Sequence, residues 1–396
     1  MLDSTGSGRS FPRAFLRVAG ASLAQHQLAL ATALGCERVV CLAQGASAEL
    51  LALQDAATTA GLSFYLATAP QQLSALVTAQ DELIVVADGL FADPEAVAPL
   101  IEGARAVVLV QPEEGAVAAG FERLDAAYAA GGVVKVPGAL VERLHDLPPD
   151  CDAGSALTRI ALQAGAQRRP VPAVARAGVG WCLVRDEAEA LAVEVAWLRE
   201  RLVPDRDAAP TQRIARVGVL ALGPSLLHAG NASGLMALAA LAGLLLSNGL
   251  GWFGLTVPAL VLAALTSLLV KAAGMLRGAE RQAHGVLPPA VARVDVLGWM
   301  LDLTLVAIVA LGLGAAAGEA PVALDHRIFD PLVLLLLLHL VPRLLPGRLA
   351  TWIGDRGVLA LCLAAAAGFG HLGVAVRLLA VATAICGIVF PRRRLN

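Results

Sequence analysis

Asp88 follows the apolar run Leu83 to Ala87 and is itself followed by Gly89. If that run is a strand of an α/β sheet, Asp88 stands beyond its carboxyl end, where such sheets bind ligands. A carboxylate there offers oxygen ligands to Mg²⁺ or Mn²⁺ on a nucleotide; the alternative is that Asp88-Gly89 is a turn. Lys135 is the only lysine in the first half of the chain and lies in the apolar run Gly132 to Val136, just before Pro137-Gly138. It reads either as a nucleotide contact or as a solvated strand residue. Farther on, Asp295 and Asp302 are seven residues apart, a spacing that puts both on one face of a helix in an otherwise apolar stretch. Ionisable groups at membrane depth are functional candidates by default. The two carboxylates therefore read as catalytic or metal-holding groups, or alternatively as an interfacial Asp295 and an Asp302 paired with Arg277, Arg281 or Arg293. The same three arginines could hold an anionic lipid headgroup, or simply mark the cytoplasmic side of the membrane.

Other chemistry finds less support. Six cysteines are scattered without a CxxC or CxxH spacing and read as reduced, buried thiols. The seven histidines contain no HxxxH pair, which argues against a zinc site. Ser155 with His145 and Asp146 or Asp152 lacks the strand-to-helix elbow of a nucleophilic serine. Asp93, followed by Pro94, is expected to cap a helix. Trp181 reads as core, His339 as an internally hydrogen-bonded histidine, and Asp325-His326-Arg327 as a loop cluster.

The elements that must position these groups follow from composition. Only 16% of the 396 residues are charged and 57% are hydrophobic, with a mean hydropathy of +0.70, so part of the chain needs a non-aqueous solvent. The charges are divided unevenly. Residues 1–210 carry 16 Lys and Arg against 25 Asp and Glu, whereas 211–396 carry 14 against 7. This disposition argues against a nucleic-acid partner and against disorder. Apolar runs near 231–247, 253–271, 295–316, 329–345, 357–371 and 373–390 approach the roughly 20 residues that cross a hydrocarbon core. A re-entrant pair is the alternative for the last two. Basic residues gather before the first run, between the second and third, between the fourth and fifth, and at Arg392-Arg393-Arg394, a positive-inside pattern for six spans with both termini inside. The expected location is the inner, cytoplasmic membrane. Arg213 to His228 reads as an interfacial helix.

In the first half, runs at 38–42, 83–87, 106–110 and 132–136 alternate with helical patterns at 22–34, 46–60 and 94–103, as in a doubly wound or related α/β sheet. Met1 to Pro12 shows no secretory pattern, so this half is expected in the cytoplasm. The resulting division is an α/β domain over 1–203, a linker and interfacial helix over 204–230, and an all-α six-span membrane domain over 231–396.

Four stretches of the first half, Phe15 to Leu23 with the following helix to Val40, Val86 to Gly89, Lys135 to Gly138 and Gly180 to Glu187, resemble the sugar-phosphate and inositol-phosphate cytidylyltransferases, a GT-A-like nucleotidyltransferase fold. Family members begin with a strand and a glycine-rich loop ending in Arg, then a Lys. Here Ser4 to Arg9 is Gly- and Ser-rich without an apolar strand before it, and Arg13 stands at the lysine. The second half resembles the CDP-alcohol phosphatidyltransferases, six-span enzymes whose D-x-x-D-G-x-x-A-R and G-x-x-x-D-x-x-x-D stretches hold divalent metal on a diphosphate. Val270 and Ala273 stand at the first two aspartates, Gly274 matches the glycine, Arg277-Gly278 replaces Ala-Arg, Asp302 matches one aspartate and Val306 stands at the last. The order of the halves resembles the bifunctional enzymes of di-myo-inositol phosphate synthesis. The resemblance implies a catalytically degenerate fusion, a pseudoenzyme serving as scaffold or regulator in phospholipid headgroup synthesis. The alternative is an active transferase using Mg²⁺ or Mn²⁺ with CTP or a CDP-alcohol through Asp88, Lys135, Asp295 and Asp302. Membrane lipid and a second copy in a homodimer are the other expected partners.

Overall fold

The computed structural model describes residues 12–390 apart from 44, 46, 149–150, 204, 206, 229–231, 285–294, 317–323 and 346. The chain divides into two compact units, Met1–Trp197 with Gln282–Val286, and Leu198–Arg281 with Leu287–Asn396.

The first unit is α/β. In chain order it contains β1 (Arg17–Val18), β2 (Ala21–Ser22), α1 (Leu23–Ala33), β3 (Arg38–Leu42), α2 (Ala48–Thr59), β4 (Ser63–Ala67), α3 (Gln72–Leu76), β5 (Glu82–Val86), β6 (Leu90–Ala92), α4 (Pro94–Ile101), β7 (Val107–Pro112), α5 (Glu113–Ala116), β8 (Tyr128–Pro137), α6 (Ala153–Gln163), β9 (Gln167–Pro170), α7 (Ala173–Ala177), β10 (Trp181–Leu183) and α8 (Glu187–Arg201), the last running on into the second unit. The helix starts are set by local chemistry. Ser22 and Gln25 form a reciprocal capping box on α1, and Asp93 accepts from the Glu95 N–H with Pro94 in the first turn of α4. The expected strands form, but they do not join one doubly wound sheet. β3 and β4 make a parallel pair, β1–β2 and β6–β10 make small antiparallel pairs, and a four-stranded sheet has the order β5-β8-β7-β9. Within it β8 is antiparallel to both β5 and β7, while β7 and β9 are parallel. The central strand β7 is buried from Val107 to Gln111, and the two faces of this sheet are covered by separate apolar clusters around Leu109 and Val133 and around Val108 and Val134. Alternation along β7 and β8 explains that division.

The second unit is helical: α9 (Pro210–His228), α10 (Ala232–Trp252), α11 (Thr256–His284), α12 (Val296–Ala316), α13 (Leu324–Leu340), α14 (Gly347–Ile353), α15 (Arg356–Gly368) and α16 (Leu372–Val389). Four of its described helices contain segments long and apolar enough to cross a membrane, Ala232–Trp252, Thr256–Ala279, Val296–Gly314 and Leu372–Val389. A fifth results if α14 and α15, bent by 51° at Gly354-Asp355, are one broken span. The count of six expected from the sequence is thus reached only in part. α13 has 17 residues with Pro331 inside, and its first half holds Asp325, Arg327 and Asp330. The chain turns at Gly370 between α15 and α16, where the last two apolar runs were expected to join, and the bend between α14 and α15 is a further break. The buried cluster of this unit joins α11, α12, α13, α15 and α16 through residues such as Leu260, Ile308, Leu338, Leu363 and Val376. Leu245, Leu265 and Leu378 face outward, as lipid-facing positions do.

Candidate functional site

In the α/β unit a cavity of about 1140 Å³ collects the side chains singled out from the sequence. Asp88, Lys135, Glu122, Ser155, Gln27 and Arg13 all lie on its wall. Asp88 is on a tight turn: the Leu90 N–H donates to the Ala87 carbonyl, and Gly89 has φ +77°. That left-handed value suits glycine at the third position of a turn. Space also requires glycine, since a β-carbon there would stand 2.5 Å from the Val184 carbonyl oxygen. The Gln27 amide donates to the carbonyls of Ala87 and Leu90 at 2.9 and 3.1 Å, fixing the turn to α1. Asp88 is thus both a turn residue and a cavity residue, and the two readings are compatible.

Lys135, in β8, extends to Glu82 in β5, with Nζ 2.8 Å from the carboxylate and only 14% of the lysine side chain exposed. Its charge is already matched, and a nucleotide phosphate would compete with Glu82 for it. Ser155 donates to Glu122 at 2.5 Å, and Glu122 also pairs with Arg159. His145 bonds instead to Ser74, which donates to the Gln71 carbonyl, so no Ser-His-Asp arrangement forms from Ser155 and His145. At the far end of the cavity Asp81 accepts from the Thr78 N–H and pairs with Arg38, which together hold its carboxyl down at about 2.

The helical unit holds the other candidate. Asp302, on α12, has 3% of its side chain exposed. Arg356, at the start of α15, approaches it with Nε 2.9 Å from Oδ1 and Nη2 3.3 Å from Oδ2. His339, near the end of α13, places Nε2 2.8 Å from Oδ2 and so donates from that nitrogen. Trp299, one turn before Asp302, stacks on the His339 ring with centroids 4.5 Å apart and planes 13° from parallel. Arg356 also donates to the Gly354 carbonyl at 2.8 Å. Three helices are thereby tied by one carboxylate whose two oxygens accept from a guanidinium and an imidazole. Such a carboxylate does not fit a divalent metal: an adjacent guanidinium repels the cation, and its lone pairs are engaged.

Neighbouring positions agree with this. Val270 and Ala273 are buried in an apolar cluster with Ala240 and Leu297. Asp295 does not join Asp302: it is exposed and accepts from the Gly298 N–H, capping α12. Among the described residues no group of three or more His, Cys, Asp or Glu side chains is placed to share a metal ion. Arg277 is half-buried on α11; the Glu280 and Arg281 side chains and Arg293 lie outside the described residues, as do Ser4 to Arg9 and Arg392 to Arg394. Asp302 pairs with Arg356, an arginine outside the three that the sequence offers as partners.

The chain matches no protein-family model and no curated protein at a significant level.

Sequence reasoning missed Arg356 because it stood among loop arginines that positive-inside topology already explained. A usable signal was the dipeptide Asp355-Arg356 at the head of an apolar run. Asp355 caps α15, accepting from the Gly357 N–H, and it also accepts from the backbone N–H and hydroxyl of Thr211. The stacking of Trp299 carried no sequence signal beyond its spacing of three from Asp302.

Proposed function

We propose that this chain is a multi-pass membrane protein related to phospholipid headgroup synthesis, a degenerate cytidylyltransferase and CDP-alcohol phosphatidyltransferase fusion that acts as a membrane scaffold or regulator. The observation that carries this reading is the state of Asp302. The one carboxylate that aligns with the metal-binding stretch of the resembling family is bound to Arg356 and His339, and Val270 and Ala273 pack among apolar side chains where two further carboxylates would be needed. Displacement at a diphosphate needs several oxygen ligands on divalent metal, and these residues do not supply them. On this reading α10, α11, α12, α13, the bent α14–α15 pair and α16 make six crossings of the inner membrane with both termini on the cytoplasmic side, and Arg277, Arg281 and Arg293 face anionic lipid headgroups.

A second reading rests on the α/β cavity, whose wall carries both Asp88 and Lys135. It keeps CTP or a CDP-alcohol as a bound ligand, or as a substrate with Mg²⁺ or Mn²⁺.

Both are tested with the purified full chain in lipid nanodiscs containing Mg²⁺ or Mn²⁺. With a CDP-lipid or CDP-alcohol and an alcohol or phosphorylated-alcohol acceptor the expected result is no CMP release above protein-free discs, and with CTP and an inositol-phosphate or sugar-phosphate acceptor no diphosphate release. CMP release that Asp302→Asn abolishes would overturn the first reading. Diphosphate release lost in Asp88→Ala would establish the second as an activity.

A further inference from the structure

Arg327 reads from the sequence as part of a loop cluster, but it is the fourth residue of α13 and its side chain reaches across to α12. There the guanidinium lies on Gly314: a β-carbon on that glycine would stand 2.7 Å from the Arg327 Nη1 and 3.4 Å from its Cζ. The Arg327 Nε is buried and has no hydrogen-bond acceptor among the described residues. Two local acceptors stand near and neither is used. Asp330 follows one turn later on α13, at a spacing that lets side chains meet, yet its carboxylate accepts from Arg377 of α16, with Nε 2.7 Å from Oδ2. α12 ends at Ala316, and the last carbonyls of a helix are open acceptors; the Arg327 Nε takes none of them. Two guanidiniums and one carboxylate therefore gather where α12, α13 and α16 pack together, and one positive charge is left over. A buried donor without an acceptor is rare in folded proteins and points to a bound ion or water. When the donor is a cation, the fitting ion is an anion.

Depth decides which anion. The apolar span of α12 is Val296–Gly314, so a guanidinium on Gly314 stands where hydrocarbon gives way to headgroups, at the level of the lipid phosphates. Arg377, the sixth residue of α16, is 69% exposed and long enough to extend toward the same level. Arginine matches phosphate oxygens with two parallel N–H donors. We propose that Arg327 and Arg377 form an anion site that takes a phosphate group, from a phospholipid headgroup or from a small phosphorylated solute. Arg327 supplies the buried guanidinium, with Gly314 leaving the room it needs. Arg377 adds its Nη donors while Asp330 holds its Nε. The site lies about 18 Å along α12 from Asp302, at 1.5 Å per residue, and is independent of the state of that carboxylate.

The test uses the full chain purified in a neutral detergent and depleted of lipid, with dioctanoyl phosphatidylglycerol as one probe and glycerol 3-phosphate as the other. The melting midpoint is followed as each probe is added, since a ligand that binds only the folded state raises it. The wild type is expected to be stabilised saturably by at least one probe, and Arg327→Gln to weaken that binding about tenfold or more. Without probe, Arg327→Gln is expected to melt no lower than the wild type, because it removes a buried donor that nothing satisfies. Gly314→Ala keeps every charge and displaces only the end of a flexible side chain; it too is expected to weaken binding. A shift with the lipid alone assigns the phosphate to a membrane lipid, and a shift with glycerol 3-phosphate assigns it to a soluble ligand. No shift with either probe, a shift that Arg327→Gln leaves unchanged, or a variant destabilised equally with and without probe overturns the proposal.

Discussion

Asp302 illustrates how its neighbours decide what a buried carboxylate does. Held by Arg356 and His339, it is a structural tie and not a ligand for metal. Arg356→Ala leaves an uncompensated buried charge, and such losses cost about 3–5 kcal/mol. Asp302→Asn with Arg356→Gln removes both charges, so the double variant is expected to lose less than Arg356→Ala alone. Denaturant titration in detergent, followed by tryptophan fluorescence, ranks the two. A second residue gives a pH signature. Glu194 on α8 is fully buried, and burial pushes its carboxyl from an ordinary 4.5 up to about 8. The native state then keeps a proton that the unfolded chain has released, so stability falls as pH rises from about 4.5 toward 8. Melting temperature is expected to drop across that window, and Glu194→Gln is expected to flatten the drop. At this scale the sequence identified His339 as internally bonded, Asp93 as a cap and Trp181 as core, because each role depends on residue type and near neighbours. It did not identify Arg356, whose role depends on a residue 54 positions away.

Single elements were legible and their assembly was not. β3 and β5 form where apolar runs foretell them, and α1 and α4 start at their caps, because propensity and capping are local. Pairing order depends on non-local choices, and a continuous apolar run fits a parallel and an antiparallel neighbour equally well. The break between α14 and α15 has a similar origin. Gly354-Asp355 ends one helix and caps the next, while the Asp355 carboxylate reaches Thr211 on α9. Gly357, in the first turn of α15, lets this junction close: a β-carbon there would stand 2.4 Å from the Thr211 Cγ2 and 2.5 Å from the Ser267 Oγ. Gly357→Ala forces Thr211 and Ser267, and with them the packing of α15 on α9 and α11, to shift, and overpacking of that kind costs about 1–3 kcal/mol. A melting curve of the purified variant in detergent checks this; an unchanged midpoint would show that the junction can yield freely.

The chain as a whole is read from its charge and its hydropathy. The acidic first half and the apolar, basic second half match an α/β unit and a helical unit, and the composition alone separates them. The number of crossings is a finer matter, because the 17-residue α13 and the 13-residue α15 are shorter than a full span. The proposed six-span topology puts the turn after α10 and the turn after α15 outside. Trp252, Phe253 and Phe369 are about four-fifths exposed there, as aromatic side chains at a membrane interface are. In a chain with its native cysteines replaced, Phe253→Cys and Phe369→Cys are expected to react with an impermeant maleimide in intact cells, and Arg348→Cys only after permeabilisation. A silent Phe369→Cys would mean that α15 turns back before crossing.

The tie between α12 and α15 has a consequence for how the protein is made. Asp302 leaves the ribosome 54 residues ahead of Arg356, an interval of about 3–11 s at ordinary rates of synthesis. On the proposed topology α12 enters the bilayer with a carboxylate whose arginine does not yet exist, against a penalty bounded by the ~2.5–3.5 kcal/mol of a helix centre, since Asp302 is the seventh of its 21 residues. Val296–Gly314, with a mean hydropathy of 2.2 even with Asp302 counted, is apolar enough to carry it in. Partitioning of the nascent chain therefore precedes neutralisation, and the helix must hold its place in the membrane until its counter-ion is translated.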